Sequence, residues 1–213
     1  MSEFEGKVAC ITGGAGGIGR AVVVALAAEG ARVVIADIDA GAAERVASEI
    51  DGGISIGVDV STSAGAAAMV ERAVTLLGGC QILVNAAGIV HKSRFLDLAE
   101  ADWDRMLDIN LKGAFLCTQA AARHMAGNGG GAVVNITSIA AEQANPLAPH
   151  YAAAKGGLKM LTVAAAVALA RHGIRVNAVG PGLVETPLTA ARLADPEVRS
   201  TSLDRVPLGR LGQ

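Results

Sequence analysis

Residues 7–19, KVACITGGAGGIG, contain the pattern that decides the fold of this 213-residue chain. An apolar run, Lys7–Thr12, leads into a glycine-rich turn that opens a predicted helix at Ile18. Glycine at such a turn lets main-chain N–H groups approach a pyrophosphate at the positive end of the helix. The glycines satisfy two spacings, Gly-x-Gly-x-x-Gly from Gly14 and Thr-Gly-x-x-x-Gly-x-Gly from Thr12, whereas the Gly-Lys-Ser/Thr of a P-loop does not follow. The strand, turn and helix context favours phosphate binding over a merely flexible turn.

Short β-branched runs alternate with Ala- and Leu-rich stretches up to about residue 180. This alternation is typical of a parallel sheet with helices on both faces, and the strands are apolar enough to be buried on both sides. The predicted fold is therefore α/β: a doubly wound parallel sheet of Rossmann type in three layers, α/β/α. Six strands are predicted, at Lys7–Thr12, Arg32–Asp37, Ile54–Asp59, Gln81–Asn85, Ala132–Thr137 and Ile174–Val179. The predicted helices are Ile18–Glu29, Ala42–Ile50, Ser63–Leu77, Ala101–Met125 and Ala152–Arg171.

Composition excludes several classes of protein. The chain has 18 Lys and Arg against 20 Asp and Glu, a net charge of -2 without a basic stripe, which argues against a nucleic-acid partner. The acidic start is unlike a secretory signal, and charge-free apolar runs such as Leu161–Ala170 are shorter than the ~20 residues of a membrane helix. We therefore expect a cytoplasmic protein without a membrane or nucleic-acid partner. Cys10, Cys80 and Cys117 form no Cys-x-x-Cys pair and are predicted to be buried free thiols, and no metal site is expected.

An acidic residue closes the second predicted strand. Asp37 follows Gly19 by 18 residues, close to the ~20 at which a carboxylate binds the ribose hydroxyls of an adenosine. The same carboxylate would repel a 2′-phosphate, and Ala15, Gly16 and Ile38 supply no basic side chain to compensate. The sequence therefore favours NAD over NADP.

Tyr151 and Lys155 lie four residues apart at the head of a predicted helix, so their side chains leave the same face. A nearby ammonium would lower the phenol pKa from about 10 and make the tyrosine an acid–base group for an alcohol or ketone. Taken alone, such a pair is more often a surface tyrosine covered by a lysine. The context favours the catalytic interpretation, because ligands of doubly wound sheets bind beyond the carboxyl ends of the strands. That edge collects Gly13, Asp37, Asp59, Asn85, Ser138 and Pro181.

Together these residues resemble the short-chain dehydrogenase/reductase family, specifically its shorter single-domain members, over essentially the whole chain. Asn110, Ser138, Tyr151 and Lys155 align with the family's active tetrad. The other matching motifs are the cofactor loop Thr12-Gly13 with Gly17 and Gly19, the adenine-facing pair Asp59-Val60, the stretch Asn85-Ala86-Ala87-Gly88, in which alanine replaces the family's second asparagine, and Pro181-Gly182 with Thr186, which closes over the nicotinamide.

The resemblance implies an oxidoreductase that transfers a hydride between NAD(H) and a secondary alcohol or ketone. It implies that Ser138 binds the substrate oxygen, Tyr151 exchanges its proton, Lys155 holds the nicotinamide ribose and lowers the tyrosine pKa, and Asn110 anchors a water relay. His150 is expected at the pocket rim rather than as a base. The expected cofactor-binding residues are Gly13, Gly16, Gly17, Ile18, Gly19, Asp37, Ile38, Asp59, Val60, Asn85, Ala86, Gly88, Tyr151, Lys155, Pro181, Gly182, Val184 and Thr186.

The organisation of the chain follows from the same resemblance. We expect one domain over residues 1–213, a homo-oligomer (dimer or tetramer), and a loop with a short helix after Gly180, in which residues 183–206 form a lid over the substrate. Relatives run on beyond a stretch like Pro207–Gly212 into a helix and an edge strand, so we expect six strands here and a natural chain that continues past Gln213. Small and polar side chains at residues 140–145 favour a sugar, polyol or cyclic alcohol.

Two other functions stay open at this point. An NADPH-dependent 3-oxoacyl-type reductase would use the same fold, but Asp37 disfavours it. A redox-silent dinucleotide-binding regulator would keep the glycine loop and have no need of Ser138, Tyr151 and Lys155, so their joint presence favours catalysis.

Overall fold

The computed structural model describes residues 2–143, 146–204 and 206–212. Its centre is a parallel sheet with the strand order β3-β2-β1-β4-β5-β6. This confirms the predicted doubly wound sheet, and each predicted strand lies within two residues of its observed ends. The strands are β1 (Val8–Thr12), β2 (Arg32–Asp37), β3 (Ile54–Gly57), β4 (Ile82–Asn85), β5 (Gly131–Ile136) and β6 (Ile174–Val179).

Helices cover both faces of the sheet because the strands are apolar on both sides. Along β1, Cys10 packs into the core on one face, while Ala9 and Ile11 pack into the core on the other. The first core is covered by α3, α5 and α6, and the second by α1 and α2. The helices are α1 (Gly17–Ala28), α2 (Ala40–Ser48), α3 (Ser63–Leu77), α4 (Glu100–Leu107), α5 (Gly113–Ala126), α6 (Pro149–Leu169), α7 (Pro187–Leu193) and α8 (Pro196–Leu203).

The predicted long helix Ala101–Met125 is interrupted. A π-helical turn, Asp108–Lys112, joins α4 to α5 and contains the buried Asn110. Such turns inside α-helices are rare and occur frequently at functional sites. The apolar periodicity of the sequence predicted the helix but not this turn.

After β6 the chain forms two short helices, α7 and α8, where the sequence predicted one. The segment before α7 is tied to the last described residues. The Gly212 N–H donates to the Leu183 carbonyl at 2.9 Å, and the Glu185 N–H donates to the Gly212 carbonyl at 3.2 Å. Leu211 is buried beside this contact. The base of the segment is therefore held by hydrogen bonds to a distant part of the chain.

The helix α6 and its 3-10 extension, Pro149–His172, are long and apolar enough to cross a membrane by length and composition. The sequence analysis did not identify this helix as a candidate span, because it considered only charge-free runs and this helix includes Lys155 and Lys159. Length and composition are weak evidence of a span, since a core helix passes the same test. This helix packs against β6 and the 3-10 turn Ile139–Ala141.

The cysteines are buried and unpaired, as predicted. The Cys10 and Cys80 sulfurs lie 3.6 Å apart, and burial raises the pKa of the Cys117 thiol to about 12. Thiols protonated in this way are poor nucleophiles.

Candidate active site

A cavity of about 670 Å³ opens at the carboxyl ends of the strands. This volume is typical of a small-molecule site. With the single exception of Asn85, every site residue predicted from the sequence lines it. Residues from eight separate segments of the sequence therefore meet at one edge of the sheet, as the topology required.

The glycine loop is shaped by close approaches of the main chain. A Cβ at Gly19 would lie 2.1 Å from the Gly13 carbonyl oxygen, and Gly13 has a positive φ of 63° with Ala87 directly behind it. Gly16, in contrast, faces open space and has an extended φ of -151°. The loop ends at the first turn of α1, where main-chain N–H groups are unsatisfied. This cradle therefore fits the pyrophosphate of a dinucleotide.

Asp37 is fixed beside this loop at the end of β2. One carboxylate oxygen accepts from the Ala15 N–H at 3.1 Å, and the other accepts from the Asp39 N–H at 3.2 Å. Ile38 follows and is exposed to the cavity. The carboxylate is therefore held beside the glycine loop, where a ribose-binding acid is expected in this fold.

Asp59 and Val60 form the next part of the wall. The Asp59 carboxylate accepts hydrogen bonds from the main-chain N–H and the hydroxyl of Ser61, at 2.9 and 2.7 Å. These bonds lower the pKa of Asp59 below its usual value, so the side chain is anionic. Val60 packs against Gly113, where an added Cβ would lie 3.0 Å from a Val60 methyl group.

Tyr151 is in the first turn of α6, facing the 3-10 turn that follows β5. Burial raises the pKa of its phenol, and a hydrogen bond with Ser138 opposes this rise. Ser138 itself accepts from the Ala140 N–H at 3.1 Å. The expectation that Lys155 lowers the tyrosine pKa is wrong for this structure: burial raises the pKa, and the Lys155 nitrogen lies over the ring face, 5.8 Å from its centroid.

Lys155 is buried one turn after Tyr151. Its ammonium donates to the Ile136 carbonyl at 2.8 Å, and burial lowers its pKa to about 8. A Cβ at Gly88 would lie 3.6 Å from the Lys155 nitrogen and 2.6 Å from the Asn110 Oδ1 atom. The lysine, Gly88 and Asn110 therefore adjoin one another at the floor of the cavity.

The Asn110 side chain fixes the loop that follows β4. Its Nδ2 donates to the carbonyls of Ile89 and Met106, both at 3.1 Å, and its Oδ1 accepts from the Ile89 N–H at 3.2 Å. The side-chain amide of Asn110 is therefore hydrogen-bonded to main-chain groups, and the π-helical turn positions it beside the loop after β4.

Asn85 is the predicted cofactor residue that the structure places elsewhere. Its Nδ2 donates to Asn135 at 2.8 Å and to Thr118 at 3.0 Å, and Asn135 donates to Thr162 at 2.9 Å. This buried network joins β4 and β5 to α5 and α6. The Asn85 side chain therefore points into a helix-covered face of the sheet rather than into the cavity. It supports the site only through this hydrogen-bond network.

His150 also differs from its expected place at the pocket rim. It is fully buried, does not line the cavity, and packs edge-on against His91 with ring centroids 6.0 Å apart. Neither of its ring nitrogens has a hydrogen-bond partner within residues 2–143, 146–204 and 206–212. Burial, together with His91, lowers its pKa, and Asp102 opposes this effect.

Several lining residues were missed by the sequence analysis. Some flank predicted positions and could have been found by extending each motif. Arg105 and Ile109 precede Asn110 in the helix and carried no motif signal, because only the packed structure shows which face of that helix meets the cavity. The missed lining residues are Val58, Ala87, Ile89, Arg105, Ile109, Ile136, Thr137, Pro187, Leu188 and Thr189. Of the expected polar stretch 140–145, Ala144 and Asn145 lie outside the described residues.

Comparison with known proteins agrees with this geometry. A family model described as short chain dehydrogenase matches residues 7–197. The chain is 42% identical to cis-4-hydroxycyclohexanecarboxylate dehydrogenase of Sinomonas cyclohexanicum, over 99% of this chain and 85% of that protein. It is 39% identical to the 3-oxoacyl-[acyl-carrier-protein] reductase of Thermotoga maritima, over 99% of this chain and 87% of the reductase.

A solved structure is similar over nearly the same extent. The short-chain type dehydrogenase/reductase from Mycobacterium marinum superposes with a TM-score of 0.93 at 38% identity, covering 98% of this chain and 84% of that one. Both sequence and structure therefore match along almost the whole chain. The chain belongs to the short-chain dehydrogenase family, enzymes that act on CH-OH groups with a nicotinamide dinucleotide.

Proposed function

We propose that this enzyme interconverts a secondary alcohol and a ketone with NAD(H), using Tyr151 as the acid–base group. The observation that carries the proposal is the meeting of Ser138, Tyr151 and Lys155 in one cavity with the glycine loop and Asp37. A redox-silent regulator would need the glycine loop and Asp37 but not Ser138, Tyr151 and Lys155.

The bound nicotinamide dinucleotide would accept the hydride in oxidation and supply it in reduction. In reduction, the protonated Tyr151 phenol gives its proton to the ketone oxygen while the carbon receives the hydride, and the alcohol forms. In oxidation, the Tyr151 phenolate takes the alcohol proton while the carbon gives up its hydrogen with both electrons. Ser138 orients the substrate oxygen beside Tyr151, since its hydroxyl accepts from the Ala140 N–H and hydrogen-bonds with Tyr151. Lys155 uses one of its three N–H groups on the Ile136 carbonyl and keeps two for the ribose hydroxyls.

Asp37 supports NAD rather than NADP, because its carboxylate would repel a 2′-phosphate. The nearest basic residue along α1, Arg20, is paired with Glu49 at the surface and does not line the cavity. The similarity to a 3-oxoacyl reductase keeps one alternative, an NADPH-dependent 3-oxoacyl-type reductase.

A cofactor titration tests this choice. We expect NADH to bind about tenfold or more tightly than NADPH, and Asp37→Ala to narrow the difference by strengthening NADPH binding. Tighter binding of NADPH to the unaltered protein would reject the NAD assignment and support the alternative reductase. Binding of both dinucleotides without hydride transfer to any substrate would support the redox-silent regulator.

For the substrate, we propose a sugar, a polyol or a cyclic alcohol, with the cyclic alcohol favoured by the cyclohexane-based name of one relative. The expected pocket residues Ala140 and Ala141, in the 3-10 turn after Ser138, do not line the cavity, so this proposal rests on that relative. A screen of NADH formation over cyclic secondary alcohols, sugars and polyols, with 3-oxoacyl thioesters and NADPH in parallel, tests this. Activity confined to the thioesters would reject the compact alcohol.

We also propose that residues 1–213 act as one domain in which residues 183–206 form a lid. The Thr186 side chain supports this, since a Cβ at Gly17 would lie 3.4 Å from it, and Leu188 also lines the cavity. Arg205, within this segment, lies outside the described residues. Lid closure should protect the segment from limited proteolysis when NADH and a substrate analogue are bound. Unchanged cleavage would argue against it.

A homo-oligomer is proposed from the outer face of α6. Met160, Val163 and Val167 are 62%, 52% and 77% exposed at helical spacing, and Phe115 on α5 is also exposed. Light scattering should give a dimer or tetramer that Val167→Glu dissociates, whereas a monomeric unaltered protein would reject the homo-oligomer.

We propose a cytoplasmic location without nucleic-acid or membrane partners, supported by the net charge of -2 and tested by cell fractionation.

A further inference from the structure

Arg105, on α4, is a basic side chain that lines the cavity. It begins a stripe of residues four apart that continues through Ile109, in the π-helical turn, to Gly113 at the start of α5. The end of this stripe is located by Gly113, which packs against Val60 after β3. Arg105 and Ile109 both line the cavity, together with Val58. The guanidinium therefore lies beside an apolar wall formed by two valines and an isoleucine.

Within the described residues 2–143, 146–204 and 206–212, no acidic side chain forms an ion pair with this guanidinium. Two acidic side chains on the neighbouring segments have other partners: Asp108 pairs with Lys112 at 2.7 Å, and Asp59 accepts from Ser61. Arg105 is exposed, so its planar group is free to contact a ligand in the cavity. Among the described lining residues, Arg105 and Lys155 are the basic ones, and Lys155 donates to the Ile136 carbonyl.

The order of the groups along the groove identifies what reaches Arg105. The glycine loop receives a pyrophosphate, and Asp37 at the end of β2 receives the adenosine ribose. The base attached to that ribose extends next toward the end of β3, where Val58, Asp59 and Val60 meet Ile109. A flat purine in this position packs one face against the apolar wall, and its remaining surface lies near Arg105.

We propose that Arg105 stacks its guanidinium on the adenine ring of the bound dinucleotide and so acts as a positioning residue for the adenosine half. A planar guanidinium stacks on an aromatic face and is less strongly hydrated than an ammonium, which makes arginine suited to this contact. The inference rests on dinucleotide binding by the proposed function, but it adds a residue outside the family motifs that the sequence carries.

The test compares half-ligands. Dissociation constants are measured for NADH, NADPH and reduced nicotinamide mononucleotide, with AMP as a competitor of NADH, in the unaltered protein, Arg105→Ala, Arg105→Lys and the control Arg123→Ala. Arg123 is an exposed arginine on α5 that does not line the cavity. We expect Arg105→Ala to weaken NADH, NADPH and AMP by the same factor, about fivefold to tenfold, and to change the mononucleotide by less than about twofold. Arg105→Lys should recover only part of the loss, and Arg123→Ala should change nothing.

The outcomes separate this inference from the proposed function. A loss confined to NADPH would show that Arg105 binds a 2′-phosphate and would overturn the stacking. An equal loss for the mononucleotide, or full recovery by lysine, would also overturn it, as would unchanged binding in Arg105→Ala. Failure of the unaltered protein to bind NADH at all would overturn the proposed function together with this inference.

Discussion

On the β1 side of the cavity the wall is the main chain of the glycine loop, whereas on the β4 and β5 side it carries the polar side chains of Ser138, Tyr151 and Lys155. The first half is shaped by the lack of side chains, since a single Cβ at Gly19 would overlap the Gly13 carbonyl. The second half depends on side chains that are buried and hydrogen-bonded, such as Asn110 and Lys155. Substitutions should therefore act in opposite ways: adding atoms damages binding in one half, and removing atoms damages chemistry in the other.

The largest effect is expected in the side-chain half. Tyr151→Phe removes one oxygen and should lower kcat by about a thousandfold, since a positioned acid–base group contributes on the order of 10²–10⁴. The dissociation constant of NADH should stay within about twofold. Steady-state kinetics and a fluorescence titration measure the two quantities. Full residual activity would refute the assignment of Tyr151.

In the main-chain half, Gly19→Ala should lower the free energy of unfolding by about 1–3 kcal/mol, because the new Cβ overpacks the loop. Gly16→Ala is the matched control. Its Cβ would face open space from an extended backbone, so the unfolding free energy should change by less than about 0.5 kcal/mol. Chemical denaturation distinguishes them, and equal destabilisation by both substitutions would contradict the contrast between the two halves.

The protonation of Tyr151 can be observed directly, because the chain has one tyrosine. Near-ultraviolet absorbance of the native protein should give a phenol pKa above 10, since burial raises it. Ser138→Ala should raise the pKa further by removing the opposing hydrogen bond. An exposed serine such as Ser48 provides the control. A free-protein pKa below 10 would show that Lys155, rather than burial, controls the phenol.

The smallest effect concerns His150, behind the catalytic half. Because its folded pKa is lowered from 6.5, the unfolded state binds the proton first as the pH falls. The stability contribution is thus complete above pH ~6.5 and is lost as the pH falls from there to the folded pKa. His150→Phe should flatten the pH dependence of the unfolding free energy over that window, and His172→Gln should not. An equal slope in all three proteins would contradict the lowered pKa.

The same contrast explains how much could be predicted from the sequence. The main-chain half was predicted almost completely, because glycine spacing and an acid after an apolar run encode it locally. The strands were predicted for a similar reason, since their continuous apolar runs identify burial on both faces. The placement of Ser138, Tyr151 and Lys155 in one cavity was also anticipated, from strand ends that converge in any doubly wound sheet.

Side-chain direction was not predictable, because it depends on how separate elements pack. Asn85 ends a strand like the other site residues, yet its amide turns toward Asn135 and Thr118. His150 is next to Tyr151 in sequence but points to His91 instead of the cavity. The sequence did not identify Arg105 as a cavity residue, because its place depends on how the stripe through Ile109 packs near the end of β3.

The π-helical turn Asp108–Lys112 sets a limit on how this chain can be shortened. It holds one residue more than an α-helical turn, so deleting a residue there would close it to a regular α-helical turn and leave α5 on the same face of the helix. The widened backbone that places Asn110 beside the loop after β4 would be lost. The length of this segment is therefore fixed by the candidate active site, and insertions and deletions should be tolerated far better at the exposed residues Gly127–Gly129.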